Sequence, residues 1–369
     1  MPLVPLTWAL RASGHEVLLA ATANMADVVT DAGLPFAEVA GPVQMPEVLS
    51  VDRHGDPVTM PKGEEALLRH FGRGYARLAL RMIDGLTEIA ETWRPDLIVS
   101  ETYCFAGPLL AAMRGLPWVR HDIRLVSPAD ITAAGAQELE PELRRLGRDT
   151  FPAPVRILDL CPPNMRPAES ERVIKMRAVP YNGRSTRLKE WAYTNRDRPL
   201  VCLTFGTRVP LPNKGTIPGG FRLLQGLMDT LPQHGFDVVV AVSDALAEQL
   251  RPLPHGVVAA GQIALSSVLP ECDLVVHHGG YGTTMTELTL GVPQVIVPVI
   301  PEVWESTRLM SAAGVAVEVP WSAATADTVA DTCTLVVTSE TFSKNARTVR
   351  AEIAALATPA DVVRELESL

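Results

Sequence analysis

Aromatic side chains make up only 5% of this 369-residue chain, and no long basic run stands anywhere in it. A nucleic-acid surface needs clustered Lys and Arg to neutralise phosphates. With 33 basic against 42 acidic residues and a formal net charge of −9, nucleic acid is not the expected partner. Cysteine is scarce as well. The five present, Cys104, Cys161, Cys202, Cys272 and Cys333, are isolated, and none falls in a CxxC pair. That excludes the usual zinc spacings and a disulfide framework, and most of the five sit within or beside apolar runs, where a thiol acts as a small hydrophobe. A reducing cytoplasm fits this usage. No apolar stretch reaches the roughly 18 residues of a membrane helix, and no signal peptide opens the sequence. No cluster of metal-ligating residues is visible.

What the chain does have is a globular composition, 47% apolar and 20% charged, in a length beyond what one core usually fills. Short apolar strands alternate with amphipathic segments in two similar halves. In the first, Val17–Ala20, Phe36–Val39, Asp96–Ser100 and Trp118–Arg120 read as strands, and a long helix runs from about Glu64 to Trp93. In the second, Leu200–Phe205, Val238–Val240, Val257–Ala259, Leu274–Val276 and Val295–Val297 repeat the scheme. This pattern predicts α/β architecture: two doubly wound, Rossmann-like domains with parallel sheets, facing across a cleft. The boundaries expected are 1–180 for the first domain, 181–198 for a polar linker, 199–355 for the second domain and 356–369 for a C-terminal helix returning toward the first. Gly41–Gly63 and Leu125–Leu139 read as connections that shape a ligand pocket.

The most informative stretch is His277-His278-Gly279-Gly280-Tyr281-Gly282-Thr283-Thr284. A strand that stops at a glycine-rich turn and feeds a helix leaves the first helical N–H groups unpaired, aimed with the positive end of the helix dipole at the sheet's C-terminal edge. Gly280 and Gly282 permit close approach of a phosphate, Thr283 and Thr284 add hydroxyls, and His278 adds an imidazole N–H. The expectation is a diphosphate cradle. A tight turn without a ligand is the plainer reading of the same residues. A dinucleotide fingerprint fits less well, because its third small residue would fall on Met285 and the turn lies late in the chain.

This segment, continued by TELTLGVPQVIVP and PEVWES, resembles the donor-binding segment of family 1 glycosyltransferases, in particular bacterial enzymes that move deoxysugars onto polyketide and related aglycones. The likeness extends to Pro5–Val17, to Met176–Gly183 and to Leu203–Arg208, so it covers nearly the whole chain. It implies the GT-B arrangement, an inverting hexosyltransferase, a nucleotide-sugar co-substrate (a dTDP-linked deoxysugar by preference), a hydrophobic natural-product acceptor, no metal, and an option for a homodimer.

The resemblance also suggests roles. Thr207 would reach the donor phosphates. Glu302 would accept from hydroxyls of the donor sugar, and Val303, at a position commonly Gln, points to a sugar with fewer hydroxyls. Gln262 stands where other members stack a Trp on the base, so the backbone around Gln262, Ile263 and Leu265 is left to contact it. The family's first strand and the histidine after it have no counterpart, since residues 1–13 already read as helix. A start assigned at an internal methionine, roughly fifteen residues short, is the plainer explanation. The candidate bases are then Glu101 and Asp122, each at a strand end, where a carboxylate can also serve as a plain helix cap. Two further readings stay open: a catalytically inactive donor-binding homologue or partner, and a sugar-nucleotide epimerase of the same fold.

Overall fold

The computed structural model describes residues 2–166, 170–183, 191, 196–206 and 219–369. It divides into two compact units, one of residues 3–177 with 357–369 and one of residues 178–356. Each is an α/β body with parallel strands.

The N-terminal unit opens with helix α1 (Val4–Ala12), followed by β1 (Leu19–Thr22), α2 (Ala26–Thr30) and β2 (Phe36–Ala40). After α3 (Met45–Ser50) comes α4 (Glu64–Trp93), whose apolar stripe packs inward and whose end is set by Arg94 in a left-handed conformation ahead of Pro95. Two glycines let neighbours lie directly on this long helix. A Cβ at Gly72 would stand 2.2 Å from the carbonyl oxygen of Ile131, and one at Gly85 would stand 2.2 Å from that of Val39. Then follow β3 (Ile98–Glu101), α5 (Ala106–Arg114), β4 (Trp118–Asp122), α6 (Ala129–Glu138), α7 (Glu140–Arg145), β5 (Arg156–Asp159) and β6 (Val173–Lys175). Strands β3-β4-β5-β6 form one parallel sheet in that order, and β1 and β2 pair in parallel as a second, two-stranded sheet. Among the described residues no ladder joins the two sheets. The core beneath them is built from α4, α5, α6 and α7 around Phe105, Leu109, Ile131, Leu139 and Leu143.

Two segments expected as connections contain helices. Within 41–63, α3 starts on Pro46 in its first turn and carries a capping box between Gln44 and Glu47, and it buries Val48 and Leu49. Six residues are too few for a 3.6-residue period to register, so the proline reads as a breaker when it is in fact a helix starter. Within 125–139, α6 gains its stability from tertiary contact with α4 at Gly72, not from any strong pattern of its own.

The second unit contains β7 (Leu200–Thr204), α8 (Gly220–Gln233), β8 (Asp237–Ala241), α9 (Asp244–Gln249), β9 (Val257–Gly261), α10 (Leu265–Val268), β10 (Leu274–His277), α11 (Tyr281–Leu290), β11 (Gln294–Ile296), α12 (Pro301–Ala312), β12 (Ala316–Glu318), α13 (Ala326–Thr338) and α14 (Glu340–Ala355). Six parallel strands stand in the order β12-β11-β10-β7-β8-β9. All five residues of β7 and all four of β10 are buried, as continuous apolar runs covered on both faces should be. From β7 the chain winds one way to β8 and β9, and then returns on the other side to β10, β11 and β12. The strand ends of β7 and β10 therefore flank the point where the winding direction changes, which is where open α/β sheets leave a crevice for ligands. The last helix, α15 (Pro359–Leu366), belongs to the N-terminal unit, where Glu367 just beyond it meets His15 at 3.0 Å.

Candidate active site

The glycine-rich turn leaves the sheet at that switch point. His277 ends β10 opposite Thr204 of β7. Gly279 then takes a left-handed φ of +88°, and Gly280 is the N-cap of α11. The first i to i−4 bond of the helix runs from the N–H of Thr284 to the carbonyl of Gly280 at 2.9 Å, so the amides before it have no intrahelical acceptor. The imidazole of His278 is wedged between two glycines. A Cβ at Gly206, two residues past β7, would lie 2.7 Å from His278 Cε1, and one at Gly280 would lie 2.8 Å from His278 Nε2. Any side chain at either position would displace the ring. Gly282 is exposed and Thr283 half-buried, whereas Thr284 is only 1% exposed and turns its hydroxyl into the interior.

The neighbouring segment is pinned to the same helix. Asn182 Nδ2 donates to Thr286 Oγ1 on α11 at 3.0 Å, while Asn182 Oδ1 accepts from the N–H of Ser266 at 2.9 Å. Thr286 in turn donates to the carbonyl of Gly282 at 2.7 Å. Gln262 is exposed, and its N–H donates to Asp244 Oδ1 at 2.9 Å, which fixes the backbone at the end of β9. Ile263 is half-buried against the core. Glu302, in the first turn of α12, is buried, and the Tyr281 hydroxyl donates to its backbone carbonyl, tying the start of α11 to that of α12. Val303 is 1% exposed and braces the turn: a Cβ on Gly279 would come within 3.0 Å of its Cγ2.

In the N-terminal unit, carboxylates stand at the ends of three adjacent strands. Glu101 ends β3, with Oε2 accepting the N–H of Tyr103 at 3.0 Å and Oε1 lying 3.3 Å from Arg124 Nε. Asp122 ends β4 and is 3% exposed; Oδ1 accepts the Thr102 hydroxyl at 2.7 Å, and Oδ2 accepts from Arg120 at 2.9 Å. Asp159 ends β5 and is held by Arg166 and Lys175, both at 2.7 Å. Arg124 also lies 4.3 Å over the ring of Tyr103, which stacks on Tyr75 at 5.3 Å. His121 is fully buried, neither ring nitrogen has a hydrogen-bond partner among the described residues, and burial pushes it down to about 4. It is neutral at physiological pH. Among the described residues no group of three or more His, Cys, Asp or Glu is arranged to hold a metal. The helix N-terminus and His278 are the features suited to an anionic phosphate.

Comparison with known proteins decides the family. Residues 8–206 match the erythromycin biosynthesis protein CIII-like N-terminal domain, and residues 225–369 match the corresponding C-terminal domain. The L-demethylnoviosyl transferase of Streptomyces niveus is 34% identical over 367 residues, spanning 99% of this chain and 93% of that protein. The crystal structure of the Streptomyces sp. SF2575 glycosyltransferase SsfS6, complexed with thymidine diphosphate, is 51% identical with a TM-score of 0.89, covering 100% of this chain and 96% of that one. The spinosyn rhamnosyltransferase SpnG is 29% identical with a TM-score of 0.83, covering 100% and 96%.

The chain belongs to the erythromycin biosynthesis protein CIII-like family.

It is a glycosyltransferase of GT-B fold, a hexosyltransferase that uses nucleotide-sugar donors and polyketide-type acceptors. Within this glycosyltransferase the turn gathers His278, Gly280, Gly282 and Thr283 at one helix start, with Glu302 tied beside them through Tyr281. Thr284 stands in the same turn of α11 but is buried. Thr207, and most of the expected 181–198 linker, lie outside the described residues. Val303 is buried and packs against the backbone of Gly279. Sequence reasoning missed Asn182, Asp244 and Asp159. Asn182 meets residues far along the chain, Asp244 meets Gln262, and Asp159 is held by the nearer Arg166 and Lys175. No described helix is long and apolar enough to cross a membrane.

Proposed function

We propose that this glycosyltransferase transfers a deoxyhexose from a dTDP-linked donor to a polyketide-type aglycone with inversion at the anomeric carbon. The observation that carries the donor half is the His278 ring held between Gly206 and Gly280 at the start of α11. An imidazole N–H and the N-terminal end of α11 there stabilise charge on the departing diphosphate. Gly280, Gly282 and Thr283 admit and contact the phosphates, Thr207 adds a hydroxyl, and Glu302 takes hydroxyls of the sugar. The segment at Gln262 and Ile263 meets the base. The named thymidine diphosphate in a relative half identical to this chain supports thymidine over uridine. Thr284, buried, supports the helix and leaves phosphate contact to Thr283.

The acceptor proton goes to a carboxylate of the N-terminal unit. Asp122 is the first choice: its oxygens are already oriented by Thr102 and Arg120, as a base must be to meet a hydroxyl in fixed geometry. Glu101, braced by Arg124 and Tyr103, is the second. Unpaired, mostly buried cysteines support a cytoplasmic location. The test is calorimetric titration of the protein with dTDP and UDP, followed by transfer assays with the corresponding sugar donors. Tighter binding of dTDP is expected. Preference for UDP would overturn the thymidine assignment.

A further inference from the structure

Beneath the cradle lies a cluster of buried polar groups that touches no ligand position. His277, Glu287 and Gln294 come from β10, α11 and β11, and all three are fully inaccessible to solvent. The N–H of Gly279 donates to His277 Nδ1 at 3.2 Å. An imidazole nitrogen that accepts carries no proton, so the ring proton must be on Nε2. Nε2 points to Gln294 Oε1 at 3.1 Å, with Glu287 Oε2 alongside at 3.0 Å. Burial drives both partners to their neutral forms: it holds the Glu287 carboxyl well above the usual range and pushes His277 down to about 3. An ion pair here would place two charges where no water reaches.

The bond from Gly279 back to His277 spans a single residue, and that residue is His278. It closes a side-chain-to-backbone turn around the imidazole assigned to the leaving diphosphate, and it constrains the His278 backbone inside that turn, directly before the left-handed Gly279 that leads into α11. We infer that His277 is a positioning residue for donor binding: through its Nδ1 it sets the Gly279 turn and with it the place of His278, while Gln294 and Glu287 hold its ring in the one tautomer that can accept. The inference rests on the donor reading above.

Asparagine and leucine separate this role from plain packing. Asn places an acceptor oxygen as many bonds from the backbone as Nδ1, whereas Leu places a methyl there and fills similar space. His277→Leu should weaken dTDP binding about tenfold and raise the donor KM in step, with His277→Asn recovering to within about threefold of wild type. Thymidine, which has no phosphate, should bind all variants within about twofold of wild type. Equal losses in Leu and Asn variants, no loss in the Leu variant, or a parallel loss of thymidine would each overturn the inference. Gln294→Leu removes one of the two oxygens that face Nε2 and leaves Nδ1 and its bond to Gly279 untouched. It should cost about three- to tenfold in dTDP affinity, and unchanged affinity would count against the inference even if His277→Leu does not fold. Failure of the wild-type protein to bind dTDP is a separate result: it would bring down the donor reading itself.

Discussion

Gly280→Ala tests the wedge that holds His278. Gly280 has a φ of −62°, so alanine fits its backbone and the perturbation is steric. The new methyl would stand 2.8 Å from Nε2 and 2.9 Å from Cε1 of His278, well inside contact distance, and the imidazole must move. A displaced donor to a developing oxyanion is worth about 2–4 kcal/mol, which sets the upper limit; partial recovery of the contact brings the expected loss of kcat to about ten- to a hundredfold. Stability should fall by only about 0.5–1 kcal/mol, for exchanging an N-cap glycine for alanine. Gly282→Ala is the control for stability alone, because Gly282 is itself assigned to the phosphates. A Cβ there meets nothing within 4 Å, and helix propensity makes the change neutral to slightly stabilising. Activity is read by product formation at saturating donor and stability by denaturant titration, on a double-mutant cycle with His278→Ala. His278→Ala alone should lower turnover by more than about tenfold, and adding Gly280→Ala should then cost little, because the ring it would push is gone. If Gly280→Ala costs as much without His278 as with it, the methyl acts on something else and the wedge argument fails.

Asp122→Asn keeps the shape and one of the two acceptor oxygens while removing the base; kcat should fall by about 10²–10⁴ with dTDP affinity unchanged by titration, and near-normal turnover would move the role to Glu101. His121 governs an acid sensitivity. Folded, it holds no proton until about pH 4, whereas in the unfolded chain it titrates near its ordinary 6.5, so unfolding takes up a proton in between and stability drops as pH falls. The loss is about 1.4 kcal/mol per pH unit below 6.5, or about 2 kcal/mol at pH 5. His277 pulls the same way, while Glu287, held by burial well above the usual carboxylate range, takes up a proton on folding and opposes it. Denaturant titrations of wild type and His121→Leu at pH 7 and 5 should therefore diverge by about 2 kcal/mol at the lower pH, and a pH-independent difference would refute the assignment.

Much of this protein was legible in one dimension, for a physical reason. Strands buried on both faces are largely apolar runs, so Leu200–Phe205 and Leu274–Val276 announced a parallel sheet, and Glu64–Trp93 carried enough helical periods to be delimited at both ends. The glycine-rich turn was equally local: one strand end, one turn and one helix start lie within His277–Thr284. Contacts between distant segments left no such trace. That Val303 braces Gly279, that Thr284 faces inward, and that Asn182 ties Ser266 to α11 depend on which side chains meet after β7 and β10 pair. The same holds for Asp122. A carboxylate at a strand end reads alike whether it is open to solvent or buried, and the Thr102 hydroxyl that meets Asp122 comes from the segment after β3. Sequence determined the fold class and the glycine-rich turn at the end of β10, whose signals are local and periodic; tertiary structure decided burial and side-chain partners, which depend on how separate segments pack.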